Sequence, residues 1–129
     1  MSKFYDLIQE ICAKDTRYKP DAYEFVLKGL EFTRKKLKKT AHLTGTELAW
    51  GLRDYAINQY GPLAARVLDH WGIYQTLDFG HIVFNLVEKK LLSKTKEDTL
   101  LDFSQVYDFK AAFSNILADS VAAAFKVKQ

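Results

Sequence analysis

The chain has 129 residues, of which 48% are hydrophobic, 14% aromatic and 27% charged, with a net charge of +3. That composition excludes a disordered tail and collagen-like material, and a chain of this length buries roughly two-thirds of its unfolded surface without disulfides or metal. The longest apolar runs, such as Val121 to Phe125, are far shorter than the ~18 residues of a membrane span. The first residues, Met1 to Asp6, lack the apolar stretch of a signal peptide. Cys12 is the only cysteine, so no internal disulfide can form, and a cytoplasmic setting is expected.

In chain order, Phe4, Leu7, Ile8, Ile11 and Cys12 recur at helical spacing within Lys3 to Lys14. Cys12 lies on the apolar stripe, which predicts a buried, inert thiol. Pro20 and Asp21 suit the first turn of a second helix running to about Lys38. Its inner side is predicted to carry Tyr23, Val26, Leu27, Leu30 and Leu37, and the helix-weakening Gly29 suggests a close helix contact. Thr44-Gly45-Thr46-Glu47 has the capping-box pattern and opens a third helix with Leu48, Leu52, Tyr55 and Ala56 inward. Tyr60-Gly61-Pro62 ends it. A short fourth helix carries Leu63, Val67, Leu68 and Trp71, and Gly72 closes it. Thr76 is expected to cap a fifth, with Phe79, Ile82, Val83, Leu86 and Val87 inside.

Leu91 to Lys94 and Thr99 to Phe103 flank a polar turn and read as a short β-hairpin. Helices followed by a hairpin give the layout of a winged helix. Asp108 then caps an amphipathic helix over about 109–126, with Phe109, Ala112, Phe113, Ile116, Leu117, Val121 and Ala124 in one stripe. The fold class is therefore mainly α: one compact domain over 1–129, core about 4–113, with a helix-turn-helix or winged-helix-like middle.

The segments Tyr18 to Leu27, Tyr60-Gly61-Pro62, His70-Trp71-Gly72-Ile73, Asp78 to Leu86, Leu91 to Thr95 and Tyr107-Asp108-Phe109 are distinctive together. They resemble a family of small bacterial proteins from Verrucomicrobia, Planctomycetes and related phyla. The resemblance covers about residues 4–113, and Lys89-Lys90 replaces the small Ala-Gly pair of the family pattern. It implies a bacterial, cytoplasmic protein and brings no activity or site residues with it.

Phosphate-binding glycine loops, a nucleophile elbow, His-Glu-x-x-His and Cys-x-x-Cys are all missing from the sequence, and nothing in it calls for a cofactor. Three function classes stay open. The leading one is a non-enzymatic module that binds a protein, through Trp50 or through Ile116 and Val121 on the last helix, where a second copy is one partner. Next comes nucleic-acid binding by Arg34, Lys35, Lys36, Lys38 and Lys39, a cluster that also suits the negative end of a helix dipole. The third is a metal or acid–base site on His70 and His81 with Asp69 and Asp78, against the plainer reading of histidines at helix ends. In a winged helix the fifth helix would be the reader, with Asp78, His81, Asn85, Glu88 and Lys89 outward. Two acids and one lysine are a poor set for DNA, and residues 44–109 carry a balance of −3. No membrane role is expected, because Lys110, Lys126 and Lys128 are too few for a basic face.

Overall fold

The computed structural model describes residues 3–39, 42–93 and 99–114. Helix α1 (Lys3–Lys14) lies against α2 (Pro20–Leu37), which pairs closely with α3 (Gly45–Tyr60). A 3-10 turn, Gly61–Leu63, leads into α4 (Ala64–His70); α5 (Thr76–Glu88), a second 3-10 turn at Leu100–Phe103 and α6 (Phe109–Phe113) follow. The fold is mainly helical, and none of the described helices is long and apolar enough to cross a membrane.

Local chemistry sets most of the boundaries. Thr44 Oγ1 accepts from the Glu47 N–H (3.0 Å) and Glu47 Oε1 accepts from the Thr44 N–H (2.9 Å), completing the expected capping box. Gly61 takes φ +55° where α3 stops, and Pro62 follows it inside the 3-10 turn. Helix α2 ends on Lys38, whose left-handed backbone (φ +56°) turns its N–H back onto the Arg34 and Lys35 carbonyls.

The core runs through the middle of the bundle. Tyr23, Val26, Leu52, Leu68, Phe79, Ile82 and Leu86 are fully buried in it. Helices α2 and α3 approach closely because each offers a glycine to the other. Gly29 faces Leu52 and Tyr55, and Gly51 faces Thr33, whose hydroxyl is folded back onto the Gly29 carbonyl (2.7 Å). The helix contact expected at Gly29 is therefore present, with a second one at Gly51. Phe25 joins the pair to α4 through Tyr55 (5.4 Å) and Trp71 (5.5 Å between ring centroids).

Three local expectations need correction. The second strand of the expected hairpin is a 3-10 turn: Asp102 Oδ2 accepts from the Thr99 N–H (2.9 Å), and Leu100 and Phe103 both pack over Gly80 of α5. No strand occurs among the described residues, and residues 94–98, the end of the expected first strand and the turn, lie outside them. Thr76 does not cap α5 but begins it; its buried hydroxyl donates to the Phe103 carbonyl (2.6 Å) and accepts from the Val106 N–H (3.1 Å). Leu37, placed on the inner side of α2 by spacing, is exposed, as is Leu63 in the first 3-10 turn. Asp108 caps α6 as expected, accepting from the Ala111 N–H (2.9 Å); α6 spans Phe109–Phe113, and residues 115–126 of the expected last helix lie outside the described residues.

Candidate binding surface

The basic end of α2 is largely spent within the chain. Arg34 Nη1 donates to Glu31 (2.7 Å), Lys36 Nζ to Asp54 (2.6 Å) and Lys39 Nζ to Glu47 (2.6 Å). The last two pairs clamp the end of α2 to α3. Lys35 and Lys38 alone are exposed with no ion pair among the described residues. Five cations in sequence thus present two uncommitted charges, set beside the negative end of a helix dipole. Phosphate binding draws its affinity from cations that neutralise phosphates, and pairs already made with carboxylates must first be broken.

The histidines sit in different settings. His70 is exposed at the end of α4, along a shallow cleft with Cys12, Arg17 and Trp71. His81 is half-buried on α5, where loss of hydration and then the Arg17 charge lower its pKa. Asp78 is buried and fully engaged: it accepts from the Tyr18 hydroxyl (2.6 Å) and from the Tyr74 and Gln75 N–H groups (2.8 and 3.1 Å). No group of three or more His, Cys, Asp or Glu side chains able to hold a metal occurs among the described residues.

Asp78 belongs to a polar seam that closes the α1–α2 loop onto α5. Asp15 receives both Arg17 Nε (2.9 Å) and Nη2 (2.7 Å), and also Asn85 Nδ2 (2.9 Å); Asn85 donates in addition to the Tyr23 hydroxyl (3.0 Å). The Arg17 hydrogen bonds hold the Asp15 carboxyl well below the usual carboxylate range. Burial pushes the Tyr23 phenol up to about 12, and burial with the Asp78 hydrogen bond drives Tyr18 higher still. Burial also raises the Cys12 pKa, and the Cys12 thiol lies 3.7 Å from the Tyr18 carbonyl. This corrects the expected reading helix. Asp78 is buried and Asn85 partly buried, each hydrogen-bonded to the α1–α2 loop, and His81 lies half-buried between them.

Trp50 stands out among the exposed apolar side chains. It projects from α3 with 43% of its surface exposed, and its ring lies 4.5 Å from that of Tyr107. Tyr107 is anchored by its hydroxyl, which donates to the Ala49 carbonyl (2.8 Å), and it stacks on Phe109 at 5.8 Å. Phe109 in turn meets core Phe79 (5.8 Å) and Phe113 (5.3 Å). A ladder of rings therefore runs from the core to the surface and ends on Trp50. Arg53 reinforces it from α3, donating from Nε to the Ala112 carbonyl (3.0 Å). On the far side of Phe109 and Phe113 an open groove continues past Ile73 to exposed Tyr74.

The residues that shape this ledge, Tyr107 and Arg53, were not singled out as site residues from the sequence. Their one signal is the aromatic pair around the Asp108 cap, Tyr107-Asp108-Phe109. Ile116 and Val121, proposed from their stripe, lie outside the described residues. Tyr5, Leu37, Leu63 and Leu101 are exposed too, but as single side chains of the kind most protein surfaces carry. Comparison with protein-family models, characterised proteins and solved structures finds no match.

Proposed function

We propose that the chain is a non-enzymatic binding module of the bacterial cytoplasm whose main partner is a protein, met at the Trp50–Tyr107 ledge. The observation that carries this reading is a tryptophan held half-exposed by a ladder of rings rooted in the core. Tryptophan and tyrosine are enriched at binding hot spots, because a rigid ring gives much contact area for little lost entropy. Here the cost of fixing the ring is met in the free protein, since Tyr107 is tied to Ala49 and Phe109.

Nucleic-acid binding is the weaker reading because three of its five cations are paired to carboxylates. Affinity capture from a bacterial lysate, with and without nuclease, separates the two. Wild type is compared with Trp50→Ser and with Lys35→Glu combined with Lys38→Glu. The protein reading expects a partner that survives nuclease, persists in the lysine variant and is lost with Trp50→Ser. Partners that vanish on digestion and in the lysine variant would overturn it.

A further inference from the structure

Away from the Trp50 ledge, α2, the start of α3 and the C-terminal half of α5 border a partly open pocket of about 430 Å³ with mixed apolar and polar walls. That volume falls in the range of roughly 300–1,000 Å³ found for small-molecule sites. Leu30, Leu48, Val83, Val87 and Phe103 form its apolar walls. Arg34 and His42 both line it, and of the Lys, Arg, Asp and Glu side chains described only Arg34 does. The guanidinium is incompletely partnered: Nη1 donates to Glu31, while Nε is closed off from water and has no hydrogen-bond acceptor among the described residues.

A buried N–H without an acceptor raises the energy of the arrangement that holds it. A ligand oxygen that draws the guanidinium round toward the pocket relieves that cost, and a carboxylate does so with charge assistance. Aliphatic walls select an alkyl chain. The Arg34 guanidinium, already shared with Glu31, matches a monoanion better than a doubly charged phosphate. We propose that this pocket binds a single-chain fatty carboxylate, with its tail against the walls and its head group on Arg34. This site is separate from the protein-binding ledge and does not depend on it.

The test is an amide-shift titration of the full chain with decanoate, decanol and decyltrimethylammonium below their micelle concentrations. Decanoate is expected to give saturable shifts at Leu30, Val83 and Val87. Decanol is expected to bind at least tenfold more weakly, and the cationic amphiphile to give no saturable shift there. Arg34→Gln is expected to weaken decanoate about tenfold or more, the scale of one lost charge-assisted hydrogen bond, and to leave decanol unchanged. Val87→Trp is expected to block both by filling the space. Equal binding of decanoate and decanol to the wild type would overturn the proposal, as would unchanged decanoate affinity in a folded Arg34→Gln. Shifts centred on exposed Leu63 and Leu101 would also overturn it. Should Arg34→Gln fail to fold, the wild-type comparison of the three amphiphiles decides alone.

Discussion

Replacing Gly51 with alanine tests the packing of α2 on α3. A Cβ there would fall well inside contact distance of Thr33 Oγ1 and Cγ2, and 2.6 Å from Thr33 Cβ. Carbon atoms pack best at roughly 3.5–4.0 Å, so the two helices must separate by about 1 Å. Rotating Thr33 cannot relieve the clash, because its Cβ is fixed by the backbone and the residue is only 1% exposed. Alanine improves helix propensity by about 1 kcal/mol. Overpacking costs about 1–3 kcal/mol where side chains can adjust, and more is expected where helices must part. The balance is a loss of about 2 kcal/mol, or a fall in Tm of about 6–12 °C for a domain of this size. Thermal and urea unfolding followed by circular dichroism measure it. Combining Gly51→Ala with Thr33→Ala is expected to cost less than the sum of the two single changes, since it removes two of the clashing atoms. A Gly51→Ala protein as stable as the wild type, or more so, would refute this account of the helix pair.

Three further outcomes follow from the polar contacts. Asp15 has a folded pKa held below its ordinary value of 3.8 by the Arg17 hydrogen bonds. Its stabilisation is therefore complete above that value and is lost as the pH falls toward the folded pKa. Urea midpoints measured at about pH 5 and about pH 2 are expected to differ less in Asp15→Asn than in the wild type; an unchanged difference would remove Asp15 from the acid sensitivity. Tyr18→Phe deletes the hydroxyl that donates to buried Asp78 and is expected to cost about 1.5–3 kcal/mol, the range for hydrogen bonds to charged groups. A loss below about 0.5 kcal/mol in urea unfolding would show that the two backbone N–H groups suffice for Asp78. Lys36→Ala breaks a partly exposed pair with Asp54 and is expected to cost no more than about 1 kcal/mol; a larger loss in the same assay would mean that this clamp governs the α2–α3 contact.

Much of the fold was legible where the determining contact is local. Thr44 and Glu47 are three residues apart and make the cap that their pattern promises. Gly61-Pro62 ends α3 through backbone conformation alone. Thr99 to Phe103 has the composition of a strand but does not form one. Its geometry is decided instead by Asp102 reaching back to Thr99 and by Leu100 and Phe103 meeting Gly80, a partner in another element. The polar face of α5 looked solvent-exposed for a related reason. Asp78 and Asn85 are polar, yet their partners Tyr18 and Asp15 lie 60 and 70 residues away in sequence. No periodicity shows such a seam. Trp50 is a candidate from its residue type, and the Tyr107 ring that holds it comes from 57 positions further along. The basic cluster was visible as a run, whereas its neutralisation by Asp54 and Glu47 required the packing of α3.

The central claim is that the molecule acts through the aromatic ledge and not through the basic end of α2. Site-specific photocrosslinking in bacterial cells tests it most directly, with a benzophenone side chain placed at Trp50 in one protein and at Lys35 in another. Discrete protein adducts from position 50, with none from position 35, are the predicted result. Nucleic-acid adducts from position 35, with position 50 silent, would contradict it.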